Sequence, residues 1–377
     1  MRLVLALVFG FLVAASPVEA ASFSTEKGDI SVAVIADGLV RPWAIDFLPD
    51  GRMIVTERGG RMRLVTPGGK KSAAIKGVPG VDVGGQGGLL DVAVHPDFAR
   101  NHLIYWSFSE AGKGGNSTAV ARGRLSEDGR ALEDVKVIFS QKPKVRSNQH
   151  FGSRLVFDGK GHLFVTLGER SAAKFRVQAQ DLGSHLGKVV RLMEDGSVPR
   201  DNPFVGKQGA LPEIWSYGHR NPQAAAINPA TGALWEIEHG PMGGDEINLP
   251  EPGKNYGWPV VSYGVNYDGS PVGSGKREMP GMENPIYQWT PVIAPSGMAF
   301  YTGDRFPQWK GNLFVGGLRA EALVRLELDG AKVTHEERLL HELGLRIRDV
   351  AQGPDGALYI VTDESDGQIL KLSPARP

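Results

Sequence analysis

The 377-residue chain contains no cysteine, which excludes disulfides and thiolate metal centres together. It carries no surplus of either charge, because 42 lysines and arginines balance 42 aspartates and glutamates. No global field therefore draws it to nucleic acid or to an anionic membrane, and a charged ligand must be met by a local cluster. Beyond the N-terminus no apolar run approaches the roughly 20 residues that a membrane-spanning helix needs. Low-complexity tracts are missing, and no helical period competes with the short strand-like runs.

What the chain does have is turn residues. Its 50 glycines and 25 prolines indicate many short strands separated by tight turns. The first twenty residues hold Arg2, an apolar run from Leu3 to Ala15, and Val18-Glu19-Ala20 before Ala21, the three-part pattern of a secretory signal peptide. A membrane anchor is the rival reading, but the run is too short to span. Residues 1–20 are thus expected to be a signal peptide and 21–377 a single periplasmic or secreted domain with no stable membrane insertion. Without disulfides, that domain must rest on a large buried core.

A turn followed by an apolar strand recurs six times. Pro49-Asp50-Gly51 leads into Met53-Ile54-Val55, Pro96-Asp97 into Leu103-Ile104-Tyr105, and Asp158-Gly159 into Leu163-Phe164-Val165. Downstream, Asn228-Pro229 leads into Leu234-Trp235, Lys310-Gly311 into Leu313-Phe314-Val315, and Pro354-Asp355-Gly356 into Leu358-Tyr359-Ile360. Short branched and aromatic runs bounded by such turns read as antiparallel hairpins. One hairpin cannot bury its apolar face alone, whereas four-stranded sheets stacked around an axis bury both faces. Six units predict an all-β, six-bladed β-propeller of four-stranded antiparallel sheets, against a β-sandwich or a pair of barrels. The units stand further apart than a minimal blade of about 40 to 45 residues requires. The surplus must lie in loops, where a rigid scaffold carries its function.

Three of those loops are rich in chemistry. Asn148-Gln149-His150-Phe151-Gly152-Ser153-Arg154 offers an imidazole whose ordinary pKa near 6.5 suits a general base, or simply a hydrogen-bonded loop histidine. Glu169, at the end of the next strand, is placed to orient it. Tyr217-Gly218-His219-Arg220-Asn221-Pro222-Gln223 sets a cation beside a carboxamide, either for an anionic ligand or for a structural pair. Arg346 and Arg348 alternate as in a strand, so both point one way; with Arg220 and Arg319, in Gly317-Leu318-Arg319, four cations are available to ring one acidic ligand. Glu238 to Asn248, followed by Asn255-Tyr256-Gly257-Trp258-Pro259, is oxygen-rich and turn-rich, as a hard cation such as calcium prefers, although it lacks the EF-hand alternation.

Together these motifs resemble the soluble aldose sugar dehydrogenases of the glucose/sorbosone dehydrogenase family, which depend on pyrroloquinoline quinone (PQQ). The likeness rests on Gly85-Gln86-Gly87-Gly88-Leu89-Leu90, His95-Pro96-Asp97-Phe98, Gln149-His150 through Arg154-Leu155, and Gly218 to Gln223. Gly240-Pro241 with Asp245 to Asn248, Asn255 to Pro259, Ala294-Pro295-Ser296 and Arg346 to Asp349 complete it, in order along nearly the whole mature chain. The resemblance implies PQQ and calcium as cofactors, an aldose as substrate and an external electron acceptor such as a quinone, cytochrome or dye. It makes His150 the base that takes the proton of the anomeric hydroxyl. It places Gln86, Arg220, Asn221, Tyr267, Leu318, Arg319, Arg346 and Arg348 against PQQ. Gly240 and Pro241 match the positions whose carbonyls hold calcium in the glucose-oxidising branch, and Glu246 and Tyr256 match a second calcium pair in the aldose branch. Three departures favour the aldose branch over a strict glucose enzyme: Arg319 stands where the glucose branch has lysine, Glu169 where it has aspartate, and its cysteine pair is missing. The competing readings are a calcium-dependent propeller lactonase and a non-catalytic propeller that binds glycan or protein.

Overall fold

The computed structural model describes residues 20–375, so the expected signal peptide lies almost wholly outside the described residues. Six antiparallel sheets follow one another along the chain and close into a six-bladed β-propeller. Blade 1 holds Pro42–Phe47, Met53–Glu57 and Arg61–Val65; blade 2 holds Leu89–Val94, Leu103–Gly112, Gly115–Leu125 and Leu132–Ser140. Blade 3 holds Gly152–Phe157, His162–Leu167, Lys188–Met193 and Ile214–Tyr217, and blade 4 holds Pro222–Ile227, Leu234–Glu238, Asp245–Asn248 and Tyr287–Trp289. Blade 5 is Pro295–Phe300, Leu313–Gly317, Ala322–Asp329 and Lys332–Leu339. In blade 6, Ile347–Gln352, Leu358–Thr362 and Gly367–Pro374 are joined by the N-terminal strands Ile30–Leu39 and Ala21–Phe23. That pairing of chain ends closes the ring and gives blade 6 five strands. Blade 1 keeps three, its outer position marked only by a bridge between Val65 and Lys71. Among the described residues no helix is long and apolar enough to cross a membrane.

All six turn-and-strand units of the sequence are the second strands of their blades. Buried on both faces, these strands read as unbroken apolar runs; Met53–Glu57 and Leu358–Thr362 are buried at every position. The core is divided among the seams. A separate apolar cluster fills each of the six contacts between neighbouring blades. The cluster between blades 3 and 4 is the smallest of the six, with Val156, Phe164, Val189, Ala225 and Leu234 as its buried residues.

Around the axis, each blade is also tied to the next by a side chain that bonds to backbone. Asp349 accepts the Ile45 N–H at 2.9 Å, Asp46 the Val94 N–H at 2.6 Å, and Asp91 the Leu155 N–H at 2.7 Å. The Thr166 hydroxyl donates to the Pro222 carbonyl at 2.7 Å, Asp245 accepts the Ile293 and Ala294 N–H groups at 2.8 Å, and the Ser296 hydroxyl donates to Ile347 at 2.6 Å. Arg154 lies among them, 2.8 Å from Asp91 and 3.1 Å from Asp349. Burial lifts the Asp91 carboxyl to about 7 and that of Asp46 to about 6. Every first strand shifts register within its opening residues, and such bulges re-aim side chains at the rim of a barrel-like fold. Trp43, Gln223 and Arg348 fall in these shifts. The start of each first strand and the end of each second strand meet on one rim, and that rim holds the site.

Candidate active site

His150 enters blade 3 with a φ of 49°, and Gly152 behind it has a φ of 65°. Its main-chain N–H donates to Oε1 of Gln86 at 2.8 Å, which ties the blade 3 loop to the blade 2 loop. Its ring Nδ1 lies 3.0 Å from Oε1 of Glu169, whose other oxygen accepts the Ser171 N–H. Gly168 makes that approach possible, because a Cβ there would stand 2.0 Å from the His150 carbonyl oxygen. Both side chains are buried, His150 at 7% exposure and Glu169 at 0%. Burial and then the Arg220 guanidinium hold the imidazole pKa below its usual 6.5, against the raising pull of Glu169. A neutral ring that commits Nδ1–H to a carboxylate keeps a free lone pair on Nε2, as a general base requires.

The expected cationic residues line connected hollows on this rim. A chamber of about 210 Å³ is bounded by Trp43, Arg58, Gln86, Leu318, Arg346 and Arg348, with Gln223, His239, Ala294 and Asp363. Next to it, sharing His239 and Ala294, a hollow of about 470 Å³ is lined by Gly240, Pro241, Tyr267 and Arg319. A third, of about 10 Å³, is no larger than a water or an ion and brings Arg220, Gly240, Pro241, Glu246 and Tyr256 together. Arg346 and Arg348 do point the same way, and the anion between them is the protein's own Asp363, 3.1 and 2.8 Å from the two guanidinium groups. Arg220 donates to the His239 carbonyl at 2.9 Å and faces the exposed Tyr267 hydroxyl at 3.4 Å. Asn221 accepts the Gly152 N–H at 3.1 Å, so its side chain, like that of Gln86, serves to join two loops. Nε of Arg220, Nε of Arg348 and Nε2 of His239 are buried without a partner among the described residues. The His239 ring is pushed down to about 3 by burial and by Arg220, and is neutral.

A second polar cluster fills the thin seam between blades 3 and 4. Glu236 and Glu238 share one face of their strand, and Glu246 and Asn248 stand opposite them on the next. His219 Nδ1 lies 3.3 Å from Glu236 and 3.4 Å from Glu238, an arrangement able to ligate a cation. Burial opposes the charge on His219, but the two carboxylates outweigh it and lift the ring to about 9. Burial, then mutual repulsion, raises the Glu236 and Glu246 carboxyls above the ordinary range. Glu236 Oε2 and Asn248 Oδ1 have no partner among the described residues. Likewise, no N–H among them donates to the carbonyls of Gly240, Pro241 or Tyr256. The Tyr256 hydroxyl is already committed to the Leu249 carbonyl and the Glu251 N–H, and its ring stacks on His219 at 4.8 Å. Only its main-chain oxygen is therefore left to meet a metal.

The sequence model of the glucose/sorbosone dehydrogenases matches residues 39–371, a span that reaches into all six blades and includes every residue of this rim. The chain belongs to the glucose/sorbosone dehydrogenase family. Within the family it is 51% identical to the aldose sugar dehydrogenase YliI of Escherichia coli K12 over 348 residues, which cover 92% of this chain and 93% of that one. The crystal structure of the soluble aldose sugar dehydrogenase of Escherichia coli in its apo form superposes with a TM-score of 0.89 at 49% identity, covering 92% of this chain and all of the other. The PQQ-bound aldose sugar dehydrogenase of Streptomyces coelicolor superposes with a TM-score of 0.75 at 29% identity, covering 95% and 99%.

Several residues of this family site were not singled out from the sequence. Asp363, Arg58 and Trp43 reach the chamber from blades 6 and 1, and no local motif marks them; Gln223, which joins them from blade 4, ends the Gly218 to Gln223 motif but was given no role there. His239 was visible in the Glu238-His239-Gly240-Pro241 stretch as part of an oxygen-rich loop, but its place between all three hollows depends on the packing of blades 4 and 5. Glu236 carried one signal, a carboxylate that with Glu238 interrupts the apolar second strand Leu234–Glu238.

Proposed function

We propose that the protein is an exported dehydrogenase that oxidises an aldose at the anomeric carbon to the lactone, with PQQ and calcium as cofactors. The observation that carries this reading is the buried, neutral His150, fixed by Glu169, on a rim whose adjoining hollows are lined by Arg58, Arg220, Arg319, Arg346 and Arg348. The kinship with aldose sugar dehydrogenases supports the reaction class, and the PQQ-bound relative supports the quinone.

The residues present suit both cofactors. In the 210 Å³ chamber three guanidinium groups, those of Arg58, Arg346 and Arg348, face the single carboxylate of Asp363, and the unpartnered Nε atoms of Arg220 and Arg348 supply donors for a polycarboxylate. Trp43 gives the chamber an aromatic wall, and Gln86, Asn221, Tyr267 and Leu318 border or brace the same space. The carbonyls of Gly240 and Pro241 would hold calcium beside the quinone. Glu246 and the Tyr256 carbonyl, with Glu236 and Glu238 close by, would hold a second ion in the seam between blades 3 and 4. When bound, PQQ supplies an ortho-quinone that accepts hydride, polarised by the calcium ion as a Lewis acid.

The protein itself manages the proton. Nε2 of His150 takes it from the anomeric hydroxyl, and Glu169 supports the imidazolium that forms. Burial, and then Arg220, keeps the resting imidazole neutral and ready. The sugar loses a hydride from C1 and a proton from the anomeric hydroxyl by separate routes, and an external acceptor removes the two electrons.

The test is reconstitution. Purified protein should reduce a dye in an aldose-dependent way only when PQQ and calcium are both supplied. Lactone opening without PQQ would assign a lactonase, and failure of both reactions would assign a binding propeller.

A further inference from the structure

Arg346 and Arg348 are two of the four cations that the family resemblance assigns to the quinone, and both are paired with Asp363 at 3.1 and 2.8 Å; Arg348 also donates to Gln223 at 3.0 Å and keeps its Nε without a partner among the described residues. The guanidinium on the chamber wall that lacks a partner is that of Arg58. It follows the second strand of blade 1, and its backbone is pinned: its N–H donates to the Arg41 carbonyl at 3.0 Å and its carbonyl accepts the Leu89 N–H at 3.0 Å. Its stem is packed against Gly88, where a Cβ would stand 2.7 Å from the Arg58 Cγ and 2.0 Å from its carbonyl oxygen. No hydrogen-bond acceptor and no carboxylate within ion-pair distance meets its guanidinium among the described residues, while Trp43, Gln86, Arg346, Arg348 and Asp363 share its wall.

Three guanidinium groups thus face one carboxylate in a partly buried chamber. Like charges held this closely are unfavourable without a further anion, and a rigid fork with all its donors free is built for a planar carboxylate. We infer that Arg58 receives a carboxylate group of the bound quinone, while Asp363 keeps Arg346 and Arg348 in position beside it. This rests on the cofactor reading above and adds to it a contact residue that the family motifs did not supply.

The experiment is an equilibrium titration of the purified full-length protein with PQQ in calcium-containing buffer, followed by quenching of tryptophan fluorescence at low and high salt. The chains compared are wild type, Arg58→Gln, Arg58→Lys and Arg346→Gln, each checked for a native circular dichroism spectrum. Arg58→Gln should bind PQQ about 10- to 100-fold more weakly, as expected when one charge-assisted contact is lost, and with a shallower salt dependence. Arg58→Lys should fall between it and wild type. The calcium midpoint of all four should stay the same. Wild-type PQQ affinity in Arg58→Gln, with weakened binding in Arg346→Gln, would overturn the inference and leave the cofactor reading intact. Failure of the wild-type chain itself to bind PQQ would remove both.

Discussion

Nδ1 of His150 lies 3.0 Å from Oε1 of Glu169, and among the described residues no other carboxylate is within ion-pair distance of that ring. The contact fixes which nitrogen bears the proton and leaves the other to act. His150→Ala should therefore lower turnover by roughly 10² to 10⁴, the usual loss of a general base, with PQQ binding preserved. Glu169→Gln should lower kcat by about 10² or more through loss of the correct tautomer. Steady-state kinetics on loaded enzyme decide both, and unchanged turnover in either would remove that residue from proton transfer.

The same pair sets a pH profile. Because burial and Arg220 hold the His150 pKa below 6.5, the base is free over the whole neutral range. The rate should rise on an acid limb centred below 6.5 and stay level above it. A limb centred above 7 would contradict this electrostatic account.

Arg154 is the cation of the axial ring, bound to Asp91 and Asp349. Arg154→Met leaves those carboxyls buried without a counter-ion, a loss of about 3 to 5 kcal/mol for one partner of a buried pair. The deficit should depend on pH in a defined direction. The folded-state pKa of Asp91 is raised, to about 7, so its protonated form is stabilised by folding, and that contribution is present below about 4 and lost as pH rises through 7. Urea unfolding should accordingly show a larger penalty at pH 8 than at pH 5.

The seam between blades 3 and 4 has the least apolar packing and a raised set of carboxyls, Glu236 and Glu246. Without a cation, those groups lose their contribution to stability as pH rises above the ordinary carboxylate range. Calcium at about 100 times its Kd should add roughly 2.7 kcal/mol, or about 3 to 4 °C in Tm for a domain this size, and the gain should be larger at pH 8 than at pH 5.5. Thermal melts with calcium or a chelator read this out, and an identical Tm in both would leave the seam without a metal.

The second strands were legible in the sequence because each is a local event, a turn of Pro, Asp, Asn or Gly ahead of a run buried on both faces. His150, Arg220, Arg346 and Arg348 were legible because they sit in short polar motifs at the ends of such strands. Closure of blade 6 was not, since Ile30–Leu39 pairs with Gly367–Pro374 from the far end of the chain. Nor was the pairing of Arg346 and Arg348 with Asp363, or the convergence of Glu236, Glu238 and Glu246. Those contacts arise from strand register and from the packing of one blade on the next, where single residues leave no periodic trace.

In the proposed reaction an aldose delivers its electrons to a quinone held on this rim while His150 removes the proton. The most direct measurement is a single turnover: anaerobic protein loaded with PQQ and calcium is mixed with an aldose, and the absorbance of the bound quinone is followed. It should fall rapidly in the wild type and at least about 10²-fold more slowly in His150→Ala. A quinone spectrum that stays unchanged after addition of any aldose would contradict the account.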